Sequence, residues 1–241
     1  MKKSLKRNVT ILLAIVLSFT LMSGASALTL NMSTFMSNMH PLHTNVLQPF
    51  ADAVKEKTDG RVEIVIHASN SLVAATDAID AAEAGIVDIT FILPAYTPGR
   101  YLLSSIEEFP FMFDTAYQAN MTAAAVMDTL QEYDYTTLKL LWFGSTDVGQ
   151  IFSKKPLNSA ADLTGSKLRS PGTFYNDVVK ALGAIEVSLP VSDLYDALDR
   201  GIVDGTFMAI TALKSFKLGE VVSDVYMCNM YVTPLVMVMN L

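Results

Sequence analysis

Among the side chains able to do chemistry, one cation stands apart. In GSKLRSPG, Arg169 ends a short strand-like run and is followed at once by Pro171 and Gly172, with a helix-forming stretch opening near Thr173. A guanidinium at such a junction aims a rigid fork of donors into a cleft, where it matches a carboxylate through two parallel hydrogen bonds. The adjoining helix N-terminus adds positive potential. A surface ion pair with Asp162 or another acid accounts for the same residue equally well, and the local sequence does not separate the two. Other candidates are poorer. His40 and His43 are spaced to share a face, but no cluster of Cys, His or carboxylate stands beside them, so a loop or helix-start role is expected rather than a metal site. Glu107 and Glu108 are adjacent and read as a solvated face. Cys228, the only cysteine, lies among Tyr226, Met227 and Met230 and reads as a small buried hydrophobe. HExxH, GxSxG, GxGxxG and Walker signatures are all missing. No catalytic residue, metal or cofactor is assigned.

The elements that must position Arg169 come in a doubled pattern. Residues 85–91 read GIVDITF and residues 201–207 read GIVDGTF, and six of the seven letters agree. A helix-like run precedes each copy, AIDAAEA in one and LYDALDR in the other. Gly85 and Gly201 fit the left-handed position that ends a helix. Asp88 and Asp204 are expected to bond backbone groups at the strand entry rather than a ligand. Around the first copy, LTLNMSTF, RVEIVIH and IVDITFIL read as strands, and PLHTNVLQPFADAVKEKTDG and ATDAIDAAEAG as helices. Pro49 is tolerable there only in a first turn or as a kink. A helix, AYQANMTAAAVMDTLQEY, and a strand, TLKLLWFG, follow. The grammar then restarts with SKLRS, IEVSLP and IVDGTFMAI as strands and TFYNDVVKALG and SDLYDALDRG as helices, the latter with Ser192 as N-cap. The closing MYVTPLVMVMNL is β-like on both sides of Pro234. Two α/β halves built alike imply a cleft between them, near the carboxyl ends of strands.

Composition narrows the setting. MKKSLKR, an apolar run too short to span a bilayer, and Ala25-Ser26-Ala27 together read as a cleavable export signal over residues 1–27, with the bacterial periplasm as destination. Those residues hold four of the 17 Lys and Arg and none of the 24 acids, which leaves 13 bases against 24 acids, a net charge of −11. So acidic a surface repels nucleic acid, and no basic patch with interleaved aromatics offsets it.

Three segments in fixed order, YTPGRYLLSSIEEFPFMF, DLTGSKLRSPG and KALGAIEVSLPVSDLYDALDRGIVDG, closely resemble the DctP family of solute-binding proteins from TRAP transporters, and the resemblance runs from about Thr29 to Leu241. It implies an α/β fold of the bilobed periplasmic binding protein type II kind, two similar lobes joined by a hinge, formed by residues 28–145 plus 234–241 and by residues 146–233. It implies a monomeric receptor, not an enzyme, that captures a small organic acid and delivers it to TRAP membrane permease subunits. The family's carboxylate-clamping arginine matches Arg169. Tyr96, Thr173, Phe174, Phe207 and Met208 are the other expected ligand-binding residues, Tyr96 because it follows the strand of the first repeat.

Departures from the family pattern shape the expected ligand. Where some relatives that bind sialic or dicarboxylic acids carry a second arginine, residues 147–150 read DVGQ. Where they carry polar residues after the second VDG, this chain has Phe207 and Met208, which cannot satisfy a hydroxyl-rich substrate. A monocarboxylate with an apolar tail is therefore expected, such as a branched or aromatic 2-oxo acid. Family members also run longer, and a fragment is expected rather than a natural short form. A ligand-sensing module for a membrane receptor, or a non-functional fragment, is the alternative.

Overall fold

Apolar alternation and glycine stops lay down two five-stranded sheets in the computed structural model, which describes residues 27–241 except for the side chain of Thr173. The export signal expected over residues 1–27 thus lies almost wholly outside the described residues. The first sheet contains β1 (Leu28–Thr34), β2 (Val62–His67), β3 (Ile89–Ile92), β4 (Leu138–Ser145) and, from much later in the chain, β10 (Pro234–Asn240). Their order is β2-β1-β3-β10-β4, with β10 antiparallel to both neighbours. The second sheet contains β5 (Gly149–Ser153), β6 (Lys167–Ser170), β7 (Ile185–Ser188), β8 (Gly205–Ala209) and β9 (Asp224–Tyr226), in the order β7-β6-β8-β5-β9. The helices are α1 (Gln48–Lys57), α2 (Ala78–Glu83), α3 (Ala116–Tyr133), α4 (Thr173–Ala181), α5 (Leu194–Asp199) and α6 (Ala212–Ser215). In the first lobe α1 packs on β2, α2 on β3 and α3 on β4, and in the second α4 packs on β6 and β7. The four residues of β3 are all buried, as a strand covered on both faces requires.

The doubled GIVD builds the same joint twice. Gly85 and Gly201 share a φ of about +70°. Around each, two bonds close the helix: Gly85 N–H to the Ala82 carbonyl and Ile86 N–H to Ala81, matched by Gly201 to Leu198 and Ile202 to Ala197. This is the glycine-terminated Schellman arrangement. Asp88 then accepts from Asn31 N–H at 2.7 Å and donates its own N–H to the Asn31 carbonyl. Asp204 does the same with Lys167, at 2.8 Å and 2.7 Å. The aspartates are strand clips, as expected.

Several local readings change. Ser192 does not cap α5; the helix is entered through a 3-10 turn, Val191–Asp193, and the Ser192 hydroxyl pairs with Asp193. Pro49 sits in the first turn of α1, directly behind one π-helical turn, His43–Leu47, from which the helical run continues unbroken. Strands β5 and β9 have no counterpart in the sequence reading, because both are short and lack alternation. Two chain crossings join the sheets. Thr146 donates its N–H to the Thr233 carbonyl at 3.0 Å, and Thr233 N–H returns a bond to Thr146 Oγ1 at 3.1 Å, so the crossings are laced together as a hinge.

Candidate functional site

Arg169 is held where β6 meets the second repeat, in register with Thr206 of β8. Only 2% of it is exposed. Its Nε donates to the Leu189 carbonyl at 2.8 Å, and Nη2 reaches the Tyr96 hydroxyl of the other lobe at 3.4 Å. Among the described residues no carboxylate pairs with it. The surface-pair alternative fails, because Asp162 closes a capping box with Ser159 instead. A buried guanidinium without an acid is costly unless something outside the chain's own side chains completes it.

That something has room. A cavity of about 380 Å³ lies between the lobes, and Arg169 reaches it. The volume is that of a small-molecule site. Phe35, Leu93, Trp142 and Leu235 wall it from the first lobe, and Phe207, Met208 and Phe216 from the second. Tyr96 bridges the two. Its hydroxyl accepts from Val191 N–H at 3.0 Å as well as from Arg169, which leaves its own proton to donate. The approach of the lobes is close: a Cβ on Gly172 would stand 2.6 Å from the Ala95 carbonyl oxygen. His40 lies at the cavity with its ring 5.5 Å from that of Phe216, and burial, with His43 second, lowers its pKa.

Of the six residues expected at the site, Arg169, Tyr96, Phe207 and Met208 line this cavity. Phe174 does not. It turns its ring edge-on to Phe109, 4.9 Å away, and lines a smaller recess of about 40 Å³ with Thr97, Tyr101 and Glu108. The side chain of Thr173 lies outside the described residues. Phe35, Trp142, Asp147 and Phe216 are cavity residues that the sequence reading missed. Spacing carried no usable signal for them, since the clipped residue lies 57 positions before Asp88 but 37 before Asp204. Counting forward from the clipped residues Asn31 and Lys167 aligns Ser33 with Arg169 and Phe35 with Pro171, and both loops meet the cleft.

Glu107 and Glu108 correct a second expectation. Far from a solvated face, they are 5% and 2% exposed. Glu107 accepts from the Ser145 hydroxyl, while Glu108 Oε1 has no hydrogen-bond partner. Burial pushes the Glu108 carboxyl up to about 8. Among the described residues no cluster of three His, Cys, Asp or Glu is placed to hold a metal.

The description "bacterial extracellular solute-binding protein, family 7", the DctP family, matches residues 32–241. The chain belongs to the DctP family. That family is one of solute receptors, not enzymes, and the two α/β lobes are the fold of its TRAP members. The DctP chain is similar to a marine metagenome TRAP solute-binding protein from an unidentified microbe, specific for aromatic acid ligands and crystallised with 3-hydroxybenzoate. The TM-score is 0.83 at 27% identity, covering 89% of this chain and 69% of that one. A TRAP periplasmic solute-binding protein from Bordetella bronchiseptica, with bound (R)- and (S)-mandelate, gives 0.78 at 28% identity, covering 88% and 69%. A solute-binding protein of Roseobacter denitrificans is 24% identical over 204 residues, 82% of this chain; the chain spans 61% of that relative's length.

Proposed function

We propose that this DctP protein is an exported receptor that captures a monocarboxylate with an apolar, aromatic tail between its lobes and delivers it to a TRAP-type membrane permease. Residues 28–145 plus 234–241 form one lobe of this receptor, residues 146–233 the other, and it acts as a monomer. The observation that carries the reading is Arg169, a buried cation with no acid partner among the described residues, at a cavity walled mainly by aromatic and aliphatic side chains. Its guanidinium clamps the carboxylate, the free Tyr96 proton adds a third donor, and Phe35, Trp142 and Phe207 cover the tail. Aromatic acids in the two similar structures support the same class. Because Arg169 and Tyr96 belong to different lobes, the carboxylate also fastens them together. A thermal-shift screen of organic acids, followed by calorimetry, tests the reading, since a ligand specific to the folded state raises its melting temperature. Aromatic or branched monocarboxylates should outbind succinate, malate and sugar acids. A clear win by a dicarboxylate or sugar acid overturns the ligand class.

A further inference from the structure

The cavity has a second pole. Asp147, in the first crossing between the lobes, lines the same space as Arg169. Thr211 of the second lobe donates to Asp147 Oδ1 at 2.8 Å. Among the described residues no Lys or Arg pairs with Asp147, and no group donates to its Oδ2. Other polar groups nearby are less able to accept. The Asn120 side-chain oxygen receives the Ser145 N–H, and its nitrogen is spent on the Ala116 and Ser145 carbonyls. His40 accepts from Leu42 N–H at Nδ1, so it presents an N–H at Nε2.

We infer that Asp147 is a specificity residue: it selects aromatic monocarboxylates bearing a hydrogen-bond donor, hydroxyl or ammonium, away from the carboxylate, and rejects a second carboxylate. This rests on the monocarboxylate reading above. A donor on the ligand satisfies Oδ2 at little cost, because an ionised acceptor makes a stronger bond than a neutral one. Asp147 is half-buried, and a ligand with only hydrocarbon there strips water from its cavity-facing side and offers no donor in return. A diacid brings two negative charges into one small cavity, which costs more still.

Calorimetry on the whole protein tests this with phenylacetate, its 2-, 3- and 4-hydroxy derivatives, phenylalanine and homophthalate. The best hydroxylated or amino probe should bind at least about tenfold tighter than phenylacetate. In Asp147→Ala that ratio should fall to about one, and Asp147→Asn should improve homophthalate at least about tenfold relative to phenylacetate. A hydroxyl or ammonium winner each supports the inference and identifies the donor. If phenylacetate matches or beats every substituted probe in the unmodified protein, the inference is overturned and the monocarboxylate reading stands. If the preference survives in Asp147→Ala, Asp147 is not its source and the inference likewise fails. If no aromatic acid binds either protein, both fall together. The first comparison needs no variant, so a folding defect in either substitution leaves it intact.

Discussion

At equivalent places the two lobes put Ser33 and Arg169. Each stands two residues after the strand residue that a clip aspartate holds, Asn31 or Lys167, each is buried, and each faces a threonine in register, Thr90 or Thr206. Ser33 is finished internally: its hydroxyl lies 3.3 Å from that of Thr90. Arg169 is not, since its fork reaches only a carbonyl and a phenol. One joint, built twice, thus serves as plain structure in the first lobe and as a charged contact point in the second. A repeat specifies where a side chain goes, and the side chain alone decides whether that place needs a ligand.

Substitutions can break or sharpen this contrast. The largest effect is expected at Arg169. Arg169→Ala should cost about 2–5 kcal/mol in affinity for the best acid found in the screen, at least about tenfold in Kd by calorimetry. Ser33→Ala should leave Kd unchanged and lower stability by about 1 kcal/mol. An unchanged Kd in Arg169→Ala would sink the clamp.

Next in size is Glu108, the reverse case of a buried acid with no base. Glu108 and Arg169 both bear on Tyr175 and Tyr231, yet they do not pair. With its carboxyl raised to about 8, the folded protein keeps a proton that the unfolded chain releases. Stability from this group is full below about pH 4.5 and is lost as pH rises toward 8, on the order of 3 kcal/mol by pH 7. Glu108→Gln should flatten that decline in denaturant titrations at several pH values. An unchanged pH profile would show that the carboxyl titrates normally.

The clips come third. Asp88→Ala and Asp204→Ala each remove a charge-assisted bond to a backbone N–H, about 1.5–3 kcal/mol by denaturant melts. If the joints are equivalent, the two losses should agree within about 0.5 kcal/mol. A wide difference would end the comparison. Smallest is Tyr96→Phe, which removes one hydroxyl shared between lobes and should weaken acid binding by about 1 kcal/mol, roughly fivefold in Kd.

What the sequence made legible follows the same division. The glycines of the doubled GIVD close their own helices within five residues, so their role could be read from spacing, whereas its aspartates reach back 57 and 37 positions to β1 and β6. Arg169 was readable as a candidate, but a clamp and a surface pair looked alike until its burial and the engagement of Asp162 were known. Glu107 and Glu108 were misread because their burial is imposed from elsewhere: Phe174 of the other lobe walls the recess that Glu108 lines. Phe174 was misplaced because the entry angle of α4 decides which face meets the cleft, and no local pattern sets that angle. Trp142 and Asp147 reach the cavity only because β10 and the crossings bring distant segments together.

The position of β10 also fixes an order of events. The second sheet draws on residues 149–226 alone, a continuous stretch. The first sheet has a gap between β3 and β4 until residues 234–240 arrive, with Asn240 bonded to the Ala82 carbonyl across 158 positions. The gap in the leading lobe's sheet is therefore filled from a segment that follows every strand of the second sheet, and until then β3 and β4 each offer an unpaired edge. Closing so long a loop is slow compared with joining near neighbours. In pulse-labelled hydrogen exchange during refolding, the amide of Phe207 is expected to gain protection before that of Phe91, its counterpart in the repeat. The reverse order would mean that the first lobe forms without β10.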